Sequence, residues 1–369
     1  MAQSRNKRKN KNTIKIIVLF FVLLLAILFA VFAIRFWGKG NASPATTEEK
    51  TTVRVASVDV TINPLTGLSG LSKNAIGKRP MAVVISNAYK ARPQWGLCSP
   101  DIIVEGMTEG GITRLLGLFA DVTNIPKIGP MRSARHDFVE IAEGFDAIFV
   151  HWGGSIYAYN AMSTRGVNHI DGIRYSGKYF FRDKERKPRG LEHSGYTNGE
   201  SIADAIERQQ IRTQVKPAYA SPFSFVKVDA SKILGRGGGC TSVSFRFSNS
   251  YQYLFEYNPA DGLYYNSINK KKMEDASGEH MAVTNVLLLY CSVQSMNDNA
   301  GCIDMNLRGG SGVYISNGTY ETIRWEKGEA DEMLKLYAQD GKTLILNTGK
   351  SYIGIVPASQ EAKTVIHDS

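Results

Sequence analysis

Short apolar runs that stop at glycine or proline set the rhythm of this chain. RPMAVVISN (79–87), SPDIIVEG (99–106), GITRLLGLFA (111–120) and DAIFVHWGG (146–154) have strand length and continuous apolar cores, which predicts buried strands. Between and after them, PMRSARHDFVEIAEG (130–144) and SIYAYNAMSTRG (155–166) show helical apolar spacing ending at glycine. ESIADAIERQQIRT (200–213) places Ile202, Ala205, Ile206 and Ile211 on one face of a third helix. Strand–helix alternation of this kind predicts an α/β or α+β domain over residues 59–215.

From residue 222 the texture changes to short, alternating, aromatic-rich segments such as SVSFRFS, YQYLFEYN, GLYYNSI and KSYIGIVP. Asn317-Gly318 between two such runs is the signature of a type I′ hairpin turn. GEADEMLKLYAQDG (328–341) reads as one added helix. This half predicts a mostly-β domain over 222–357, of sandwich or barrel type, with a loose tail at 358–369.

The N-terminal pattern is different again. Nineteen residues from Ile16 to Ile34 carry no charge, close to the roughly 20 that a helix needs to span a bilayer. Cations crowd the residues before it, which predicts a cytoplasmic tail at 1–13, an uncleaved membrane anchor at 14–37 and an extracytoplasmic bulk. The polar stretch 38–58 reads as a flexible stalk. Of the net charge of +10, eight positive charges and no negative ones fall before Asn41, leaving about +2 for the remainder. The basic character therefore belongs to membrane topology, and nucleic acid is not an expected partner.

Four cysteines (Cys98, Cys240, Cys291, Cys302) lack metal spacing. Cys291 and Cys302 flank a polar loop, and both a disulfide and two buried thiols fit them. The six histidines form no recognisable ligand motif, and no phosphate loop or dinucleotide fingerprint occurs, so neither metal nor cofactor is expected.

Candidate chemistry concentrates in residues 101–155. Gly129-Pro130 reads as a helix start, with Arg132 and Arg135 one turn apart near the positive end of the helix dipole. Cations there call for a partner. One answer is a bound phosphate or carboxylate held with Arg114 and Ser133, and the other is an internal ion pair with Asp101, Glu105 or Glu109. His151 at a strand end, followed by Gly153, Gly154 and Ser155, suggests a glycine turn against a ligand, with Asn87 lining the same cleft. Ser155 as an acyl-transfer nucleophile lacks the Gly-x-Ser-x-Gly frame, since Tyr157 occupies the last position. Glu105, Glu109 and His151 are the weak candidates for acid–base catalysis.

The ordered series NPLTGL (63–68), RPMAVVISN, ARPQWGL (91–97), DIIVEGMTEGGITR (101–114), IGPMRSAR (128–135) and DAIFVHWGGS, with NGTYETIRW and DGKTLILNTGKSYIGIVP downstream, resembles the YerB-like lipoprotein family of Gram-positive bacteria. The resemblance spans residues 60–357 and implies a two-domain extracytoplasmic protein facing the cell wall, without implying a reaction. Two departures stand out: the lipid-accepting cysteine common in the family is replaced by the apolar helix, and the segment around Arg186, Pro188 and His193 differs from the family pattern.

The expected function is accordingly an accessory, membrane-anchored envelope protein that binds an anionic cell-wall component or a wall-synthesis protein. A hydrolase of a wall glycan or phosphodiester, and a structural adaptor docking a protein through its β domain, are the two alternatives.

Overall fold

The computed structural model describes residues 61–217, 219, 221–227 and 232–368. The tail, anchor and stalk expected over residues 1–58 lie outside these residues. Among the described residues, no helix is long and apolar enough to cross a membrane.

In the N-terminal half, the strands are β1 (Met81–Ser86), β2 (Ile102–Met107), β3 (Thr113–Phe119), β4 (Ile148–His151) and β5 (His169–Asp171). The helices are α1 (His136–Gly144), α2 (Ile156–Arg165) and α3 (Gly199–Arg208). The C-terminal half is mostly β. It contributes β6 (Ser242–Ser248), β7 (Tyr251–Asn258), β8 (Leu263–Ile268), β9 (Lys271–Lys272), β10 (Asn285–Cys291) and β11 (Ile303–Met305). Then come β12 (Gly309–Ser316), β13 (Thr319–Glu326), β14 (Lys335–Ala338), β15 (Ser351–Pro357) and β16 (Val365–His367).

The two halves meet in one mixed sheet of order β14-β13-β12-β10-β15-β2-β3-β1-β4-β5, with Gly238–Gly239 paired beside β13. The seam is the parallel pair β15–β2, in register from Ile102 opposite Ser351 to Gly106 opposite Ile355. β15 also pairs in parallel with β10 on its other side, so it is central and buried along its whole length. Thus the N-terminal half has a mixed sheet with helices and the C-terminal half is mostly β, as the sequence predicts, but neither half closes its own main sheet.

Every residue of β1 is buried because both faces of this sheet are covered. Met81, Val83 and Ile85 face one apolar core with Phe245, Phe255, Tyr352 and Ile202. Ala82 and Val84 face the other core, with Phe138, Val139, Ala158 and Met162 of α1 and α2. A second, six-stranded sheet, ordered β9-β8-β7-β6-β16 with Ala282–Val283 beside β8, supplies the aromatic residues of the first core. Its strand β6 alternates buried and half-buried positions, as a sheet with one covered face should.

Several expectations are corrected. Residues 128–135 are not helical: Gly129, Met131 and Ala134 make bridges to Trp95, Ile85 and Gly154. The N–H groups of Met131 and Arg132 are taken by the carbonyls of Gly195 and Val84, so α1 begins only at His136, with Arg135 as its cap. Residues 335–338, expected in a helix, form β14 because Lys335, Leu336, Tyr337 and Ala338 alternate outward and inward. The tail expected to be loose folds back, and β16 pairs antiparallel with β6. The four cysteines are free thiols, and the loop between Cys291 and Cys302 is closed instead by backbone pairing of Val293–Ser295 with Ile303–Met305. Asn317 and Gly318, at φ 51° and 72°, form the expected two-residue turn between β12 and β13.

Candidate functional site

Glu109 is where the arginine question is decided. Arg114, on β3 and buried, donates to Glu109 Oε1 at 2.8 Å and to the Ser133 carbonyl at 2.6 Å. Arg135 donates Nε–H to Glu109 Oε2 at 2.9 Å, makes a second contact to Oε1, and donates to the Ala134 carbonyl. Burial opposes the charge of Glu109, but the Arg135 hydrogen bond and the two guanidinium charges outweigh it and hold the carboxyl at about 2. Burial, with the charge of Arg135, lowers Arg114 to about 9. Glu109, Arg114 and Arg135 are therefore an internal ion cluster, and the expectation of an anion held by Arg114, Ser133 and Arg135 is corrected. Arg132 stands apart: it is half-buried and enters no ion pair among the described residues.

Glu105 is equally committed. It is fully buried and accepts from Asn87 Nδ2 (2.9 Å), from the Tyr352 hydroxyl (2.8 Å) and from the Tyr253 hydroxyl. Burial raises its pKa above the ordinary carboxylate range, against hydrogen bonds that pull the other way. A carboxyl enclosed by three donors and sealed from solvent has no substrate to reach, so its acid–base candidacy ends here.

His151 is also enclosed. Its Nδ1 lies 2.7 Å from the Gly153 carbonyl and its Nε2 lies 3.0 Å from His169 Nδ1, while burial pushes it down to about 4. The glycine turn binds inward too. Gly153 (φ 77°) donates its N–H to Asp171 Oδ1 at 2.8 Å, and Gly154 is bridged to Ala134. Ser155 caps α2, its Oγ accepting from the Ala158 N–H at 3.2 Å. None of the four is presented to a ligand.

One donor set that sequence spacing hides does assemble. Nε2 of His136 lies 3.0 Å from Asp304 Oδ1 and 3.4 Å from Asp137 Oδ1, a set with the composition to hold a divalent cation. Burial pushes Asp137 up to about 7, and its Oδ1 accepts the Met305 N–H at 3.0 Å. As folded, these contacts tie the start of α1 to β11.

The open, charged feature lies elsewhere. A recess of about 580 Å³ is walled by the loop after β1 (Tyr89, Lys90, Arg92), by Arg189, and by the β8–β9 hairpin with Lys271 and Lys272. Glu274 is the one acidic residue on its lining. None of the five cations takes part in an ion pair among the described residues.

The loop carrying Arg92 is held from behind. Arg186 donates to the carbonyls of Ala91 (3.0 Å) and Pro93 (2.6 Å), and Arg189 donates to the Arg92 carbonyl at 3.0 Å. The Arg92 guanidinium donates to Asn87 Oδ1 (3.1 Å) and to the Asn87 carbonyl (2.7 Å), and it lies over the Tyr251 ring. Asn87 was expected to line a cleft. It is instead fully buried and orients Arg92 while its amide binds Glu105.

The β8–β9 hairpin, which lends Asn269, Lys271 and Lys272 to the lining, turns at Asn269 and Lys270, both at positive φ, 51° and 64°. Such turns favour glycine at the second position, so Lys270 holds a charge where backbone strain argues against it. The sequence signals for this recess are the cation runs YKAR, RKPR and NKKK. They start at residues 89, 186 and 269 and carry no common spacing.

Comparisons with known proteins place the chain among relatives without assigning chemistry. Residues 65–212 match the family described as "Protein of unknown function (DUF3048) N-terminal domain", and residues 243–353 match its C-terminal domain. YerB of Bacillus subtilis (strain 168), a candidate lipoprotein, is 32% identical over 300 residues, covering 80% of this chain and 86% of the relative. The crystal structure of YerB protein from Bacillus subtilis superposes with a TM-score of 0.71 at 29% identity, covering 83% of this chain and 99% of that one.

Proposed function

The chain belongs to the YerB-like family, and from that premise we propose that it is a membrane-anchored, extracytoplasmic envelope protein that binds rather than reacts. The anchor is the apolar segment 14–37, which puts the bulk outside the cell by the distribution of cations before it. The candidate lipoprotein character of the Bacillus subtilis relative agrees with attachment at the outer face of the membrane, by a different chemical route. The ligand is an anionic component of the cell wall, and its seat is the recess around Arg92 rather than the Glu109 cluster.

The observation that carries this reading is the contrast between the two sets of cations. Arg114 and Arg135 spend their charge on Glu109, whereas Lys90, Arg92, Arg189, Lys271 and Lys272 surround open space without a carboxylate partner. Like charges gathered without compensation cost stability, which an incoming anion relieves. A hydrolase is disfavoured because Glu105 and His151 are sealed and Glu109 is paired.

The test is co-sedimentation of residues 59–369, which form a compact unit, with insoluble wall material before and after removal of its anionic polymers. Binding that disappears with the polymers, and in Lys271→Glu/Lys272→Glu, supports the reading. Binding indifferent to both overturns it.

A further inference from the structure

We infer that His136, Asp137 and Asp304 form a binding site for one divalent transition-metal cation, zinc in the first place, where α1 meets β11. The starting point is a convergence on one nitrogen. His136 Nε2 lies 3.0 Å from Asp304 Oδ1 and 3.4 Å from Asp137 Oδ1. A ring nitrogen carries at most one proton, and a proton there serves the shorter contact. The longer one lies beyond the usual N–H···O range, so the second carboxylate faces the nitrogen with no proton between them.

The charges around this point do not balance. Asp137 is only 2% exposed, and neither it nor Asp304 pairs with a lysine or arginine among the described residues. Both are held by neutral donors instead. Asp137 Oδ1 accepts the Met305 N–H at 3.0 Å, and its Oδ2 makes no hydrogen bond among the described residues. Asp304 Oδ2 accepts from Gln294 Nε2 at 3.1 Å, and Gln294 stands directly opposite Asp304 in the pairing of Val293–Ser295 with β11. These donors fix where the carboxylates point without neutralising them, as the groups behind metal ligands do. A buried carboxylate calls for a compensating charge, and one imidazole between two carboxylates does not supply it.

The spacing suits an ion. Donor atoms held at about 2.0–2.1 Å in a tetrahedron lie about 3.3 Å apart, between the two separations seen here. All three donor atoms fall within 4.8 Å of one another. An imidazole in the set selects zinc or a neighbouring transition metal over magnesium and calcium, which take oxygen donors. The Asp304 side chain is 37% exposed, so the site opens to solvent on the β11 side, where water completes the coordination. The bound cation would fasten the hairpin of Val293–Ser295 and β11 to the first turn of α1. None of these residues belongs to the recess, so the two sites stand or fall separately.

The experiment is titration of metal-free residues 59–369 with zinc, magnesium and calcium, read by competition with a chromophoric chelator and by thermal unfolding. Zinc should bind at one equivalent and raise the unfolding temperature, and magnesium and calcium should do neither at the same concentration. Asp304→Asn should weaken zinc binding at least about tenfold. Gln294→Ala, which removes no ligand, should weaken it by about tenfold and keeps the test readable if the Asp304 variant is unstable. His367→Ala, on exposed β16, should bind like wild type. No zinc binding by wild type, zinc binding unchanged in both Asp304→Asn and Gln294→Ala, or binding lost with His367 overturns the site. Calcium or magnesium binding more tightly than zinc overturns the class of metal.

Discussion

The Tyr352 hydroxyl donates to Glu105 Oε2 at 2.8 Å, joining the two halves of the chain across the parallel seam of β15 and β2. Tyr253, from the second sheet, reaches the same carboxylate, so one buried side chain ties together both sheets and both halves. The network does not stop there. Asn87 binds Glu105 through its amide nitrogen and Arg92 through its oxygen, so the buried junction also fixes one wall of the recess.

Glu105→Ala should therefore be strongly destabilising. It leaves the Tyr253 and Tyr352 hydroxyls without their acceptor, each costing about 1–3 kcal/mol when buried without a partner, while Asn87 Nδ2 keeps Thr113 and Tyr253. A loss of at least about 2 kcal/mol in urea unfolding is expected, and a loss under about 1 kcal/mol would mean that the network is not the junction described.

The Glu109 cluster makes an unequal prediction for its members. Glu109→Ala leaves buried Arg114 without its counter-charge and should cost about 3–5 kcal/mol. Arg135→Ala leaves the Arg114–Glu109 pair intact and should cost distinctly less, while Arg132→Ala should shift stability by no more than about 0.5 kcal/mol. Thermal and urea unfolding of the three variants give the ranking directly. Equal losses would show that the arginines are interchangeable.

Acid should act through His151. The folded protein holds it neutral down to about 4, whereas the unfolded chain takes up its proton near the ordinary imidazole value of 6.5. Between those values the unfolded state binds more protons, so this contribution to stability is complete above pH 6.5 and is lost as pH falls towards 4. The slope approaches about 1.4 kcal/mol per pH unit. His151→Gln should flatten that part of the stability–pH curve whatever its effect on absolute stability. An unchanged slope would remove His151 as its source.

Lys270 predicts a trade between stability and binding. With φ at 64° in the turn between β8 and β9, Lys270→Gly should stabilise the protein by about 1 kcal/mol. The same change removes a charge beside Lys271 and should weaken polyanion binding. Chemical denaturation and titration of this one variant read both effects, and a destabilised variant would contradict the strained-turn account.

Much of the fold was legible because it is local. β1 announces itself in MAVVIS, α3 in the spacing of Ile202, Ala205 and Ile206, and the β12–β13 turn in Asn317-Gly318. What escaped was long-range. Gly129-Pro130 looks like a helix start until Ile85, Trp95 and Gly154 supply its backbone partners. β15 reads as one more strand of a separate β domain, and nothing in KSYIGIVP says that β2, some 250 residues earlier, is its neighbour. The site divided in the same way. The alternative of an internal pair for Arg135 was visible from its place at an expected helix start, and Glu109 was among the named partners. The recess was not visible, because Arg92, Arg189 and Lys271 share no motif and meet only through the fold.

The most direct test of the account is the salt dependence of binding to the anionic wall polymer, compared across residues 59–369 as wild type, Lys271→Glu/Lys272→Glu and Arg135→Ala. Wild type should bind with an affinity that falls steadily as salt rises, the lysine pair should be required, and Arg135→Ala should bind like wild type because its charge is already spent on Glu109. Binding that survives the lysine reversals and is lost with Arg135 would contradict it and return the anion site to the start of α1.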